Sequence, residues 1–259
     1  MRKPFVILRA AGAAFLAAAA ISAAIAAFGF AVVRRGETRS AEAAEKVLLG
    51  SVSAVLAEGG EEEKVLLFGT PFGRGSPYYT DIEIRTESGE SFSPPEEGGY
   101  SPSVAAFDFL GKGYEQIFYS ASTGGSGGFG YYYVFDLSDG VVTLFDAART
   151  DMPFSARFAD GGFVKVSCGG KPFVLFDVSD GYYSDMLWDE NGRYTGTAQA
   201  YVTSVNYVQP SYEPFEGRCR LMLWYRVTGC CSADTAGYLV RRLDLLTGEY
   251  FPYCAAAAG

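Results

Sequence analysis

The residues best suited to chemistry in this sequence are two carboxylates beside a tryptophan. Asp185 and Asp189 flank Trp188, whose ring could stack on a sugar, and a glycosidase uses two carboxyl groups held about 5–9.5 Å apart. The same stretch ends in Asn191-Gly192, and Asp and Asn are common turn residues. The pattern favours turn structure, so we expect no catalytic residue here and keep Trp188 as a candidate binding residue.

The sequence contains no histidine, which narrows the reactions that its other residues could support. A Ser-His-Asp triad, a Cys-His dyad and histidine-ligated zinc are therefore excluded. The cysteines also lack the C-x-x-C spacing of a zinc ribbon or a thioredoxin-like site. Outside a membrane, Cys219 could pair with Cys230, Cys231 or Cys254, and with Cys168 as the fifth cysteine one thiol would remain free.

A glycine-rich stretch from Thr123 to Gly130 is the next candidate for a site. Ordering many glycines costs conformational entropy, which suggests that the stretch has a task. It lacks the G-x-x-x-x-G-K-[ST] pattern of a phosphate-binding loop. It could be a hairpin connection, or a binding loop whose bare backbone approaches a ligand beside the tyrosines that follow. The candidate binding residues are Gly124, Gly125, Ser126, Gly127, Gly128, Tyr131, Tyr133 and Trp188.

The charges are distributed unevenly along the chain. Five of the 21 basic residues lie in the first 35 positions, which contain no acidic residue. From residue 36 onward, 16 basic residues stand against 30 acidic ones, a net charge of −14. Such a surface repels phosphate backbones, so nucleic acid is excluded as a partner.

The N-terminal region divides into three parts by composition. Residues 1–9 form a short basic tail, residues 10–33 are uncharged and mostly apolar, and residues 34–63 form a polar linker. About 20 apolar residues suffice to cross a bilayer as a helix, so the middle part predicts a retained transmembrane signal-anchor. A signal peptide cleaved near Ala24 and Ala26 is the alternative. The positive-inside rule then favours a main domain outside the membrane.

A short helix is expected inside the linker, capped by Ser40 and with its apolar positions at Val47, Leu48, Val52 and Leu56. After the linker, short β-branched and aromatic runs alternate with turn residues, which predicts strands.

The turns predict how these strands are joined. Asp139-Gly140 and Asn191-Gly192 supply the positive φ angles of tight hairpins. Parallel sheets would need helical crossovers, which the sequence does not suggest. We therefore expect an all-β antiparallel meander over residues 64–253, propeller-like with about four to five blades. Residues 254–259 would be a C-terminal tail.

Two stretches of the predicted meander share a pattern. Residues 107–118 and residues 213–223 each place an acidic, glycine-containing loop before an apolar strand. They resemble the D-x-D-G-D-G-x-x-D/E loops of FG-GAP/VCBS repeats. With the glycine-rich stretch and the three tyrosines after it, residues 104–253 are similar to secreted or surface VCBS-repeat-like proteins of Firmicutes. That family has no established activity, so the resemblance implies fold and location rather than function.

In FG-GAP/VCBS repeats the clustered carboxylates bind Ca²⁺, because this cation takes six to eight oxygen ligands. Lys112 stands where the repeat pattern has Asp, and Arg218 and Arg220 flank the second loop. We therefore expect turns without metal, with Ca²⁺ as the alternative cofactor. The candidate ligands are Asp108, Glu115, Glu213 and Glu216.

These features together predict a single-pass bacterial membrane protein whose extracytoplasmic β-domain binds or scaffolds at the cell envelope without catalysis. The expected partners are the membrane, through the N-terminal helix, and a cell-wall polysaccharide or an envelope protein. The alternative is a secreted carbohydrate-active enzyme or sugar-binding module that uses Asp185, Trp188 and Asp189.

The predicted anchor can be tested by fractionation. The full chain should sediment with membranes and resist carbonate extraction, because residues 10–33 would be held in the bilayer, whereas a chain that starts near Glu37 should be soluble. A mature N-terminus found by mass spectrometry between Ala24 and Ala27 would show instead that the segment is a cleaved signal peptide.

Overall fold

The computed structural model of the chain describes residues 7–9, 45–125, 127–231 and 234–257. The described part is built almost entirely from strands, which confirms the expected all-β class. In chain order the strands are β1 (Ile7–Arg9), β2 (Val47–Val55), β3 (Glu62–Pro71), β4 (Tyr78–Thr86), β5 (Ser91–Phe92), β6 (Gly98–Phe107), β7 (Gln116–Ser122), β8 (Gly130–Asp136), β9 (Val142–Asp146), β10 (Phe154–Ala159), β11 (Phe163–Cys168), β12 (Lys171–Asp177), β13 (Val202–Glu213), β14 (Arg218–Thr228), β15 (Thr235–Leu243) and β16 (Tyr250–Ala257).

Two short helical segments accompany the strands. A 3-10 turn covers Ala147–Arg149, and α1 covers Ser184–Leu187. None of the helices in the described ranges has the length and apolar character that a bilayer crossing requires. The predicted transmembrane segment, residues 10–33, lies outside the described residues.

The strands form three sheets with mostly sequential neighbours. One sheet has the order β2-β3-β4-β6-β7-β8-β9 with β5 paired to β4, the second is β13-β14-β15-β16, and the third is β1-β12-β11-β10. All pairings except that of β1 with β12 are antiparallel. The expected antiparallel meander is therefore confirmed at this level.

The eight-stranded sheet is continuous and is not divided into two separate propeller blades. Tyr78–Thr80 in β4 pairs directly with Gly98–Tyr100 in β6, which joins two four-strand groups into one continuous sheet. The described strands form three sheets, and the arrangement in four to five blades stays a prediction.

Two apolar cores lie on opposite sides of β7 and β8. On one side Ile117, Tyr119 and Tyr133 pack with residues of β2, β3 and β4. On the other side Phe118 and Val134 pack with residues of β10 to β15. Because successive side chains of a strand point to opposite faces, the pair β7–β8 supplies both cores at once.

Strand β2 overturns the prediction of a juxtamembrane helix in this part of the linker. Val47–Val55 pairs with Glu62–Gly69 of β3, and Ala54 and Leu56 are buried in the core shared with β7. The predicted apolar positions Leu48, Val52 and Leu56 are spaced by four, which fits one face of a helix and equally one face of a strand. The β-domain therefore already includes residue 47. At the other end, residues 254–257 belong to β16 and pair with β15, so they are strand rather than the predicted tail.

Strand β6 was not predicted, because its first residues, Gly98 and Gly99, look like a turn. The structure shows why glycines stand there. A Cβ on Gly98 would lie 2.5 Å from the carbonyl oxygen of Tyr79, and one on Gly99 would lie 2.6 Å from the Cβ of Ala121. The neighbouring strands approach so closely that only glycine fits.

A buried ion network joins β14 to the end of β15. The guanidinium of Arg218 donates two hydrogen bonds to Asp244, one of them at 2.6 Å, and Arg220 Nε donates to the same carboxylate at 3.2 Å. Glu216 adds a second carboxylate, 2.6 Å from Arg220 and 2.8 Å from Arg218. The hydrogen bonds from Arg218 lower the pKa of Asp244 to about 2.

This network predicts an acid-sensitive contribution to stability. Asp244→Asn should lower the free energy of unfolding by about 3 kcal/mol at pH 7, because it leaves buried guanidinium charge uncompensated. The pKa of Asp244 is depressed in the folded state, so its contribution is present above the unfolded value of about 3.9 and fades as the pH falls towards 2. Urea denaturation of both proteins should therefore show their stabilities converging in acid.

Arg149→Ala is the matched control, since Arg149 pairs with Asp146 but its side chain is largely exposed. Exposed pairs contribute little, so this variant should unfold like the wild type at every pH. A constant difference between wild type and Asp244→Asn down to pH 2 would contradict the assignment.

Candidate functional site

An open groove of about 260 Å³ lies between the eight-stranded sheet and strand β13. One wall carries Tyr100 and Ser101 from β6 and Ser120 from β7, and the opposite wall carries Tyr207 from β13. Gly128 and Phe129 of the glycine-rich stretch close one side. Tyr207 is 47% exposed and Tyr100 is 38% exposed, so both rings are available to a ligand.

The glycine-rich stretch is a closed connection between β7 and β8. Thr123 N donates to the carbonyl oxygen of Phe129 at 3.0 Å, and Thr123 Oγ1 donates to the same oxygen at 3.1 Å. Gly124, Gly125 and Gly128 have φ values of 78°, 83° and 65°, a region that glycine adopts without strain. Ser126 lies outside the described residues. The connection is thus folded by its own hydrogen bonds, and it also borders the groove.

Gly124 has a packing role in the groove wall. A Cβ on this residue would lie 2.6 Å from Cε2 of Tyr100. The bare backbone of the loop therefore approaches a tyrosine ring of the protein itself, and any larger side chain at position 124 would clash with that ring.

A β-bulge shapes the same wall. The register between β6 and β7 shifts between Tyr100 and Ser103, and Ser101 has a φ of 47°. A non-glycine residue rarely adopts this left-handed conformation, and such strain is concentrated at functional sites. The bulge brings Tyr100 and Ser101 to the rim of the groove.

The three consecutive tyrosines are mainly core residues. Tyr133 is buried in the core beneath β2–β4, and half-buried Tyr131 packs against the same core. Tyr132 faces the opposite core, reaches the groove and meets Tyr207 edge to face at a centroid distance of 6.0 Å. Burial raises the pKa of Tyr132 to about 12. Of the three rings, the unpredicted Tyr132 is the one that lines this groove.

Tyr133 makes a polar contact that fixes its ring. Its hydroxyl donates a short hydrogen bond to Glu96 Oε1. Burial, followed by this contact, raises the pKa of Tyr133. Burial and this contact give Tyr133 a structural role, and its predicted role as a binding residue stays a prediction.

Trp188 is also placed in the core, where a sugar cannot stack on it. The side chain is 8% exposed, its Nε1 donates to the carbonyl oxygen of Ala159 at 2.9 Å, and its ring meets Phe158 edge to face. Asp189 Oδ1 accepts hydrogen bonds from the backbone of Asn191 and Arg193. This segment is therefore an ordered turn, and the predicted platform role of Trp188 is corrected to a packing role.

The two loops that resemble those of FG-GAP/VCBS repeats lie next to each other. Cys219 N donates to the backbone oxygen of Asp108 at 2.7 Å, so the loop before β7 contacts the start of β14. Asp108 itself accepts three backbone hydrogen bonds from residues 111–113 at 2.6 to 3.2 Å. Its carboxylate thus closes its own loop.

The remaining candidate ligands also have protein partners. Glu115 Oε2 accepts from the backbone of Val55 at 2.8 Å, Glu213 pairs with Arg242 at 2.6 Å, and Glu216 belongs to the arginine network described above. In the described part of the chain, no three His, Cys, Asp or Glu residues are grouped as metal ligands would be.

The cysteines are thiols in the structure. Cys219, the candidate disulfide partner of Cys230, Cys231 or Cys254, lies in the core, and burial raises its pKa. Cys230 and Cys231 lie in the turn between β14 and β15, where Cys230 N donates to Asp234 Oδ2 at 2.8 Å. Burial raises the pKa of Cys230 to about 12.

The described residues thus define an antiparallel all-β protein with an uncharged groove between two sheets. No protein-family model matches the chain, and no solved structure matches it. Over 176 residues the chain is 24% identical to "Uncharacterized protein YybI" of Bacillus subtilis (strain 168), and the match covers 64% of this chain and 67% of that protein. This similarity brings no activity with it.

Calcium binding can be tested by thermal denaturation. We expect 1 mM Ca²⁺ to change the melting temperature little, because every candidate carboxylate already accepts hydrogen bonds or pairs with arginine. A ligand present at a hundred times its dissociation constant would add about 2.7 kcal/mol. A rise of several degrees that disappears in Asp108→Ala would contradict this expectation.

Proposed function

We propose that this protein is a membrane-anchored, extracytoplasmic β-domain that binds a component of the bacterial cell envelope without catalysis. The observation that carries the proposal is the groove between β6, β7 and β13, with two exposed tyrosines on facing walls. Tyrosine supplies a large contact area at low entropic cost and keeps a polar hydroxyl for hydrogen bonding. The groove is therefore suited to recognition.

The cavities favour binding over hydrolysis. A glycosidase needs two carboxyl groups in one cleft. The groove has no charged residue among its described lining residues. A cavity of about 530 Å³ beside β10 has Arg157 as its charged residue. Two further cavities, of about 350 and 130 Å³, each include Asp146 as their one carboxylate. These cavities do not supply the pair of carboxyl groups that the alternative, a secreted carbohydrate-active enzyme, would need. A sugar-binding module remains compatible with the groove.

Location at the envelope is proposed from the sequence. The uncharged run of residues 10–33 would hold the chain in the membrane, and the strongly acidic remainder suits an exposed domain. The resemblance to VCBS-repeat-like surface proteins agrees with this location. We also propose a propeller-like arrangement of the strands. It rests on the same resemblance and on the successive antiparallel groups that the strands form.

The proposal predicts that binding depends on Tyr207. Tyr207→Ala in the full chain, solubilised in a mild detergent, should weaken co-sedimentation with isolated cell walls or envelope membranes at least about tenfold, since central aromatic residues dominate such contacts. Circular dichroism should show an unchanged fold because the ring is half exposed.

Tyr212→Ala is the matched control. Tyr212 lies on the same strand and is more exposed than Tyr207, but it does not line the groove. It should bind like the wild type. Equal binding by all three proteins would show that the groove is not the recognition site.

A further inference from the structure

A row of aromatic rings continues from the groove across the surface of the eight-stranded sheet. Phe72, in the turn after β3, meets Tyr78 edge to face at a centroid distance of 5.8 Å. Tyr78 meets Tyr100 at 4.9 Å. Phe72 is 75% exposed, although a phenylalanine gains from being covered. The row therefore presents apolar ring surface to solvent.

Tyr100 connects this row to the groove. It is the last ring of the row and also lines the groove. Phe129 and Tyr207 are two further aromatic lining residues of the groove. Gly124 is packed against its ring, so the loop between β7 and β8 holds the connecting residue in place. The row thus ends at the groove, and we call the rings from Phe72 through Tyr78 and Tyr100 to Tyr207 the aromatic path.

The polar groups that line the groove are uncharged. Ser101, Ser120 and Ser122 contribute hydroxyls to the groove, and the lining contains neither an acidic nor a basic side chain in the described residues. Hydroxyls and exposed backbone can donate and accept hydrogen bonds with sugar hydroxyls, while aromatic rings cover the apolar face of a sugar. The net charge of −14 from residue 36 onward disfavours an anionic polymer.

We propose that the path from Phe72 to Tyr207 binds a linear, uncharged polysaccharide, with several successive sugar units in contact. This inference rests on the proposed function and specifies its ligand. The row adds exposed aromatic surface beyond the groove, so a longer chain would contact more of it, whereas a site for a single terminal sugar would need only the groove. Chain length should therefore determine affinity.

The test measures binding of oligosaccharides to the full chain in a detergent without a sugar headgroup. The probes are uncharged N-acetylglucosamine and glucose oligomers of two and six units, and a six-unit galacturonate oligomer as the anionic comparison. By calorimetry, at least one uncharged hexamer should bind roughly tenfold more tightly than its dimer, because it reaches additional rings. The galacturonate hexamer should bind more weakly than that hexamer.

Phe72→Ala separates the row from the groove. It should reduce the affinity for the uncharged hexamer and leave the affinity for the dimer unchanged. Phe215→Ala is the matched control, because Phe215 is fully exposed in the turn between β13 and β14 and does not belong to the path. It should change neither affinity.

Three results would overturn the inference: no binding of either uncharged hexamer, equal affinity for dimer and hexamer, or equal affinity for the anionic hexamer. Binding of a proline-rich peptide in place of the sugars, which an aromatic groove can also accept, would overturn it as well. If Tyr207→Ala still abolishes envelope binding in those cases, the proposed function stands and only the ligand assignment fails.

Discussion

The packing of β7 and β8 on both faces is the constraint on which the rest of the structure depends. Ile117 and Tyr119 serve the core beneath β2–β4, while Phe118 and Val134 serve the core beneath β10–β15. Since neighbouring side chains of a strand point in opposite directions, a slip of one residue would exchange the two sets. The fold therefore has a single register at its centre.

The groove takes its shape from this central pair. The glycine-rich connection joins the two strands that contribute to both cores, so its ends are held from both sides. Gly124 in turn packs against Tyr100. The facing wall belongs to β13, whose inward residues lie in one of the same cores. The groove is thus built on strands that the cores hold in place. The connection between β7 and β8 is ordered, although it is rich in glycine, because both of its ends belong to these strands.

The strand pattern of the sequence was sufficient to predict the fold class but not the whole site. The β-branched and aromatic runs between turn residues predicted the strands that follow the linker, whereas β2 was mistaken for a helix because apolar spacings of four fit both structures. The glycine-rich stretch was recognised as a candidate. Tyr100 and Tyr207 were missed, because β6 begins with glycines that resemble a turn and because the two walls are brought together by sheets distant in sequence. Trp188 is a residue type that often stacks on sugars, but the sequence does not reveal that its ring is covered by the core.

The central pair also has a consequence for the order in which the chain can fold. β7 and β8 are joined by a short connection, so their pairing closes a small loop at modest entropic cost, whereas β13 must be brought to them across a long stretch of chain. A hairpin formed first would present one apolar face to the segment before it and the other to the segment after it. Such a hairpin is suited to be the folding nucleus, with each flanking region condensing on its own side. The glycine-rich connection would then be among the earliest parts of the molecule to take shape.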